Sequence, residues 1–349
     1  TLIVYKHFRL ECPTRLSIRN IKFGQLNFSY KKGMVPLMKK IIKKFVKPST
    51  WSFFTEKTDN KNITFFTRLH GYIYGRWPYL YIGIGTGRHP LTKIIKPLWS
   101  FFTRDRSQPR DKKRAKIKFA DEYHGKVLPA DEATKLVKVN KSIDIGDLEQ
   151  VVPYTKARDI VLKNPEYIVA LDCPCRATRD NPCLPLDVCL IIGEPFANFI
   201  LEHHPGRSRL ISSEEAVDII DQEHKRGHVQ HAFFKEAMLG RFYAICNCCT
   251  CCCGAIQAHR NGVPMLASSG FTAEMVDYDN CEGCGNCSQS CQFQAITMKE
   301  DHPYINIDLC MGCGVCVDTC RNSCLSLSLN PDKCPPLDIS ESLCKTKAL

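Results

Sequence analysis

One cysteine motif occurs twice in this chain, and it constrains the fold more than any other feature of the sequence. Cysteines follow the spacing C-x2-C-x2-C-x3-C at residues 281–291 and again at residues 310–320. Four thiolates hold one [4Fe–4S] cube, and in this spacing the fourth cysteine of each run ligates the cube of the other run. The motif therefore predicts two cubes. The first would be bound by Cys281, Cys284, Cys287 and Cys320, and the second by Cys310, Cys313, Cys316 and Cys291.

Residues 278–330 resemble the bacterial-type ferredoxins that hold two [4Fe–4S] clusters. The resemblance rests on the doubled motif and on strand-like segments at 295–298 and 304–307. It implies a small domain of hairpins and short helices that passes single electrons. That family usually has proline after each fourth cysteine, whereas this chain has Gln292 and Arg321 there.

Ten further cysteines lie in the middle of the chain: Cys173, Cys175, Cys183, Cys189, Cys246, Cys248, Cys249, Cys251, Cys252 and Cys253. Six of them fall within eight residues, a density that ordinary core packing does not explain. Crowded cysteines without a secretory signal are more typical of metal sites than of disulfides. We predict one or two additional iron–sulfur clusters here. Zinc and redox-active thiols are the alternatives.

The remaining cysteines carry weaker signals. Cys324 aligns with Ala295 of the first half of the doubled motif, so we predict that it is not a ligand. For Cys12, Cys334 and Cys344 we expect free thiols.

Two resemblances extend into the middle region. The run Cys252-Cys253-Gly254 resembles the CCG motif of heterodisulfide reductase catalytic subunits, which hold unusual clusters. Residues 120–330 as a whole resemble iron–sulfur proteins of anaerobic bacteria that fuse a cysteine-rich module to a ferredoxin domain. This resemblance implies a reducing, cytoplasmic setting.

Charge is divided between the two ends of the chain. Residues 1–120 contain 27 Lys and Arg against 5 Asp and Glu, although the net charge of the whole chain is only +12. Residues 37–47 predict a basic amphipathic helix that ends at Pro48 and either packs on the protein or lies on anionic lipid. We expect residues 37–118 to contact a membrane surface or an acidic protein. No nucleic acid is expected, because no recognised binding motif accompanies the basic run.

Local patterns predict several elements. Residues 130–137 predict a short helix, and 167–171 predict a buried strand that leads into Cys173. A second helix should begin at Ser212 or Ser213, with glutamates in its first turn, and end at Gly227.

Other segments favour irregular or extended structure. The aromatic alternation of residues 71–87 favours strands or a partner surface. Residues 104–118 are typical of a linker, and Asn164-Pro165 predicts a turn.

Together these patterns predict an α+β protein, with a two-cluster ferredoxin domain packed on a cysteine-rich α/β module and a basic, partly ordered N-terminal segment. The expected divisions are the basic segment 1–119, the cysteine-rich module 120–275, the ferredoxin domain 276–330 and the tail 331–349.

The function favoured by the sequence is low-potential transfer of single electrons between redox partner proteins. The site of action would be the cytoplasm or the inner face of the membrane. One alternative is a reductase with a catalytic iron–sulfur cluster within 173–253. Another is a zinc-stabilised interaction module fused to a ferredoxin.

Overall fold

The computed structural model describes residues 46–58, 60, 62–94, 112–140, 143–149 and 158–337. The described residues all belong to one compact unit. Of the amphipathic helix predicted at 37–47, only residues 46 and 47 are among the described residues. Cys12 and Cys344 lie outside them.

The described elements alternate between helices and strands along most of the chain. The helices are α1 (Pro48–Thr55), α2 (Phe65–Arg76), α3 (Pro78–Gly85), α4 (Lys112–Glu122), α5 (Ala130–Val137), α6 (Pro174–Ala177), α7 (Phe196–His203), α8 (Ser213–Lys225), α9 (Gly254–Arg260), α10 (Asn286–Ser290) and α11 (Val315–Thr319). The strands are β1 (Tyr123–Leu128), β2 (Ile143–Glu149), β3 (Arg158–Leu171), β4 (Cys189–Glu194), β5 (Ser208–Ile211), β6 (Val229–Lys235), β7 (Arg241–Cys248), β8 (Leu266–Ala267), β9 (Phe271–Met275), β10 (Ile296–Lys299), β11 (His302–Ile305) and β12 (Leu325–Leu329).

An eight-stranded mixed sheet forms the centre of the molecule. Its strand order is β2-β3-β4-β7-β6-β1-β8, and β5 pairs with β3. The β4–β7, β6–β7 and β1–β6 pairs are antiparallel, whereas β1 and β8 are parallel. This arrangement confirms the predicted α+β class.

Both faces of the sheet are buried under helices. Successive side chains of a strand point to opposite faces and therefore belong to different cores. On one face Val169 and Ile191 belong to a core that includes Phe53 of α1 and Phe199 of α7. On the other face their neighbours in the strands pack in a second core with α5 and α8. Its members include Leu136, Ile168, Leu190 and Ile220.

The helix predicted at 130–137 and the helix predicted from Ser212 or Ser213 to Gly227 are confirmed as α5 and α8. The Ser212 hydroxyl accepts a hydrogen bond from the backbone N–H of Glu215 at 3.2 Å, which caps the start of α8. Gly227 follows the helix with a φ of +81°, a conformation that glycine adopts without strain. The predicted strand at 167–171 is the last part of β3.

The strands predicted within 71–87 are wrong, because this segment forms α2 and α3. The aromatic alternation concealed a helical pattern in which Gly71 and Gly75, four residues apart, form the buried positions of α2. The linker predicted at 104–118 is wrong from Lys112 onward, where α4 begins.

The turn predicted at Asn164-Pro165 is also wrong, because β3 continues through both residues. Asn164 takes a φ of +47°, and the register of β3 against β4 shifts between Lys163 and Ile168. The residues that suggest a turn therefore mark an irregularity inside one long strand.

Replacing Gly71 with alanine should destabilise the protein by about 1–3 kcal/mol, the usual cost of overpacking. A Cβ atom at this position would lie 1.9 Å from the carbonyl oxygen of Ala237, so α2 would have to move. Gly85→Ala is the matched control, since no atom lies within 4 Å of its added Cβ. Urea unfolding of both variants measures the difference. Equal stability of the two variants would contradict the packing described for α2.

The C-terminal part of the chain forms a smaller layer. Strands β10 and β11 make a hairpin, and β12 pairs with β9. His224 of α8 contacts Asp318 of α11 through Nε2 and Oδ2, 2.6 Å apart, which ties this layer to the sheet module. No helix among the described residues is long and apolar enough to cross a lipid bilayer.

Candidate metal centres

The eight thiols of the doubled motif fall into two groups in space. Those predicted for the first cube line one small cavity: Cys281, Cys284, Cys287 and Cys320. In the second group Cys313 and Cys316 have Cys310 and Cys291 as electrostatic neighbours. Burial raises the pKa of Cys313 to about 12. The structure thus brings the crosswise sets together, while their binding of iron stays a prediction.

Backbone amides point at the sulfur atoms of these groups. The N–H of Ala295 donates to Cys291 Sγ at 3.3 Å, and the N–H of Cys324 donates to Cys320 Sγ at the same distance. Cys324 therefore occupies the position equivalent to Ala295 and uses its backbone. Hydrogen bonds from N–H groups to sulfur are one means by which proteins set the reduction potential of iron–sulfur clusters. The residues present therefore fit the predicted cubes.

Residues 273–321 match the family model described as a 4Fe-4S dicluster domain. The match spans both motifs. No curated protein and no solved structure matches the chain. The dicluster domain and the additional cysteines indicate an iron–sulfur protein with an electron-transfer or redox role.

The middle cysteines lie at the end of the large sheet where β3 and β7 finish and β4 begins, close to the dicluster domain. β3 ends just before Cys173, while β7 ends at Cys248. The two loops that follow these strands carry most of the remaining thiols. The sheet thus gathers residues that are about 75 positions apart in sequence, which sequence analysis could not establish.

Four of these thiols form a compact group, hereafter the four-thiol group: Cys183, Cys249, Cys251 and Cys252. Their Sγ atoms all lie within 4.8 Å of one another. Cys251 Sγ is 3.1 Å from the Sγ atoms of both Cys183 and Cys249. Four thiolates around one tetrahedral ion are close together, since each lies about 2.3 Å from the metal. The geometry can hold a metal, and tetrahedral sulfur ligation is typical of iron–sulfur and zinc sites.

The other six thiols form a second group, hereafter the six-thiol group: Cys173, Cys175, Cys189, Cys246, Cys248 and Cys253. A series of thiol contacts runs from Cys173 through Cys175 and Cys253 to Cys248. Cys248 and Cys253 are buried, whereas Cys173 and Cys175 are half-buried.

Cys189 and Cys246 complete the six-thiol group from neighbouring strands. They face each other in the β4–β7 register, with Sγ atoms 3.5 Å apart. Contact with the Cys189 thiol and burial raise the pKa of Cys246 well above its ordinary value. Redox-active cysteines usually have lowered pKa values. The raised pKa of Cys246 disfavours a free reactive thiol at this position.

Arg88 holds the two cysteine loops together, a role that sequence analysis missed. Its guanidinium donates to the carbonyl oxygens of Cys175 and Cys252, both at 3.0 Å. It also donates to Gln257 Oε1 at 2.9 Å. The basic segment therefore contributes at least one arginine to the architecture of the thiol groups.

A buried ion pair supports the loop between Cys175 and Cys183. Arg176 and Glu223 pair by hydrogen bonding, and each side chain is only 1% exposed. Arg176 also donates to the carbonyl oxygens of Pro185 and Asn247. His228 contacts Glu223 through Nδ1 at 2.6 Å. These side chains fix the loop in place without contacting a thiol through any hydrogen bond described.

Proposed function

We propose that this chain is an electron-transfer protein in which the dicluster domain is joined to a metal centre in the four-thiol group. Its donors and acceptors would be redox partner proteins. The observation that supports the proposal is a set of hydrogen bonds between Gln292 and Thr250. Gln292 follows Cys291, and Thr250 lies between Cys249 and Cys251.

The contact between these two loops is short and multiple. The Thr250 N–H donates to Gln292 Oε1 at 2.8 Å, and the Thr250 hydroxyl donates to the same oxygen at 2.6 Å. The hydroxyl lies 3.0 Å from the backbone oxygen of Gln292 as well. Gln292 Nε2 in turn donates to the Gly227 carbonyl oxygen at 2.9 Å. The side chain is thus held in a fixed orientation between the two modules.

This contact gives a physical reason why Gln292 follows Cys291, where bacterial-type ferredoxins usually have proline. Proline at position 292 would have neither an amide to donate nor a carboxamide oxygen to accept. Gln292 supplies both and connects a predicted ligand loop of the dicluster domain to the four-thiol loop. When bound, an iron–sulfur cluster supplies one-electron redox chemistry.

The six-thiol group fits a further iron–sulfur centre. Its thiols are buried or half-buried and crowded, so that ionising several of them would be unfavourable without a compensating cation. Bound metal ions supply that positive charge and hold coordinating thiols in the deprotonated form. We therefore propose that both thiol groups bind iron, with the four-thiol group nearer to Gln292.

Replacing Gln292 with leucine should slow the reduction of the middle centre while leaving the iron content unchanged. Leucine has a similar size but lacks the oxygen that accepts from Thr250 and the amide that donates to Gly227, so only the bond to the backbone oxygen of residue 292 remains. Anaerobically purified protein would be photoreduced and freeze-quenched, and paramagnetic resonance spectra would follow each centre with time.

Gln289→Leu is the matched control, because Gln289 is exposed in the same domain. We expect the control to behave as the unmodified protein. Equal reduction kinetics in all three proteins would contradict the proposed route. Stoichiometric zinc in the four-thiol group would also contradict it, because zinc has no redox chemistry.

A further inference from the structure

A large cavity lies between the α2–α3 helices and the sheet, and the six-thiol group forms part of its wall. Its volume is ≈ 610 Å³. Small-molecule sites in proteins typically have volumes of about 300–1,000 Å³. The cavity is therefore large enough to hold an organic ligand beside the thiols.

Two almost fully buried cations line this cavity: Arg176, which pairs with Glu223, and Lys235. Lys235, at the end of β6, is only 5% exposed and lines the cavity. Its Nζ lies 4.4 Å from the ring centroid of Tyr123, 4.7 Å from that of Tyr74 and 5.4 Å from that of Tyr81. Ammonium groups are attracted to the faces of aromatic rings at such distances. The three rings fix the direction of the ammonium group.

Lys235 has no carboxylate partner in the described part of the chain. No ion pair joins it to Asp or Glu there, and Glu122, its electrostatic neighbour, is exposed outside the cavity wall. Burial lowers the pKa of Lys235 to about 8. Buried charges in proteins are normally paired. An unpaired buried ammonium facing a cavity therefore points to a ligand that carries the opposite charge.

The rest of the wall is mainly apolar. Ile191, Ile200, Phe233 and Met238 contribute to it. A polar element comes from Tyr74 and Tyr243, whose hydroxyl oxygens are 2.9 Å apart. A ligand that fits such a wall has an apolar body and few polar groups.

We propose that this cavity binds a small organic anion with an apolar body, and that its charged group pairs with Lys235. The proposal goes beyond electron transfer, because it gives the chain a ligand of defined chemistry next to the six-thiol group. It does not depend on the route through Gln292. The competing explanation is that Lys235 serves only as the counter-ion of a metal cluster in the six-thiol group.

Equilibrium dialysis of the anaerobically purified full chain tests the proposal with two probes, 2-naphthoate and its neutral analogue 2-naphthamide. Charged hydrogen bonds contribute about 1.5–3 kcal/mol, and 1.4 kcal/mol corresponds to tenfold in affinity. We therefore expect 2-naphthoate to bind at least about tenfold more tightly than 2-naphthamide. Lys235→Met should abolish this preference and leave the binding of 2-naphthamide unchanged.

Lys299→Met is the matched control, because Lys299 also lies over a tyrosine ring, 3.5 Å from the centroid of Tyr304, but is exposed. It should bind both probes as the unmodified chain does. Ala258→Trp provides a second variant, since Ala258 lines the cavity and a large side chain there should exclude both probes.

Iron per chain is measured in every sample, so that loss of the metal is distinguished from loss of the ligand site. Three outcomes would overturn the proposal: equal affinity for the two probes, a preference that survives in Lys235→Met, or binding that persists in Ala258→Trp. Absence of probe binding together with loss of iron in Lys235→Met would identify the lysine as a cluster counter-ion instead.

Discussion

Replacing both Cys248 and Cys253 with serine should lower the iron content by about four atoms per chain. The iron of the four-thiol group and about eight atoms in the two cubes, at four irons per cube, should remain. These two thiols contact each other and end the series that begins at Cys173. Their loss would remove two of the six ligands from one buried group. The cysteines of the dicluster domain are unchanged, so their cubes should persist.

Cys324→Ala is the control for this experiment. Its thiol is buried and contacts the Cys320 thiol, and its backbone N–H donates to the Cys320 sulfur. The control should retain the full iron content. If the double serine variant kept all its iron, the six-thiol group would not be a metal site. Loss of iron in Cys324→Ala would show that Cys324 is a ligand, contrary to the sequence alignment with Ala295.

Replacing Arg176 with methionine should destabilise the protein by about 3–5 kcal/mol, the usual cost of removing one partner of a buried ion pair. The variant would leave the buried Glu223 carboxylate with only Arg226 and His228 as partners. It would also leave the carbonyl oxygens of Pro185 and Asn247 without the donors they now have. Urea unfolding followed by circular dichroism measures the loss.

Arg209→Met is the comparison for the buried pair. Arg209 pairs with Asp187 and Glu215 at the surface, where its side chain is 45% exposed. Exposed pairs contribute no more than about 1 kcal/mol, so this variant should be nearly as stable as the unmodified protein. The double variant Arg176→Met with Glu223→Leu should recover part of the loss, because the buried carboxylate that has lost Arg176 is removed as well. Similar stability of the two single arginine variants would contradict the structural role of the buried pair.

The features predicted well from the sequence depend on short-range patterns. The doubled cysteine motif places most ligands of each cube within one tight loop, so spacing alone indicates the chemistry. Helix α8 was predicted because its capping serine, acidic first turn and terminal glycine are all local signals. The strand at 167–171 was predicted because a short apolar run suits a strand buried on both faces.

The features that were missed depend on residues far apart in the chain. The alternation of large side chains in residues 71–87 favours strands or a partner surface. It conceals the helical spacing of Gly71 and Gly75. The ten middle cysteines divide into groups of four and six only after β3, β4 and β7 pair. The cavity around Lys235 combines side chains from α2, α3, β1 and β6. No local pattern in any of these elements indicates such a combination.

The central claim is that the middle thiol groups bind iron in addition to the dicluster domain. The most direct measurement is iron, acid-labile sulfide and zinc per chain in protein purified without oxygen. We expect more than about twelve irons, because two cubes take about eight, the six-thiol group takes about four, and the four-thiol group adds at least one more. About eight irons, with zinc or no metal in the middle loops, would contradict it.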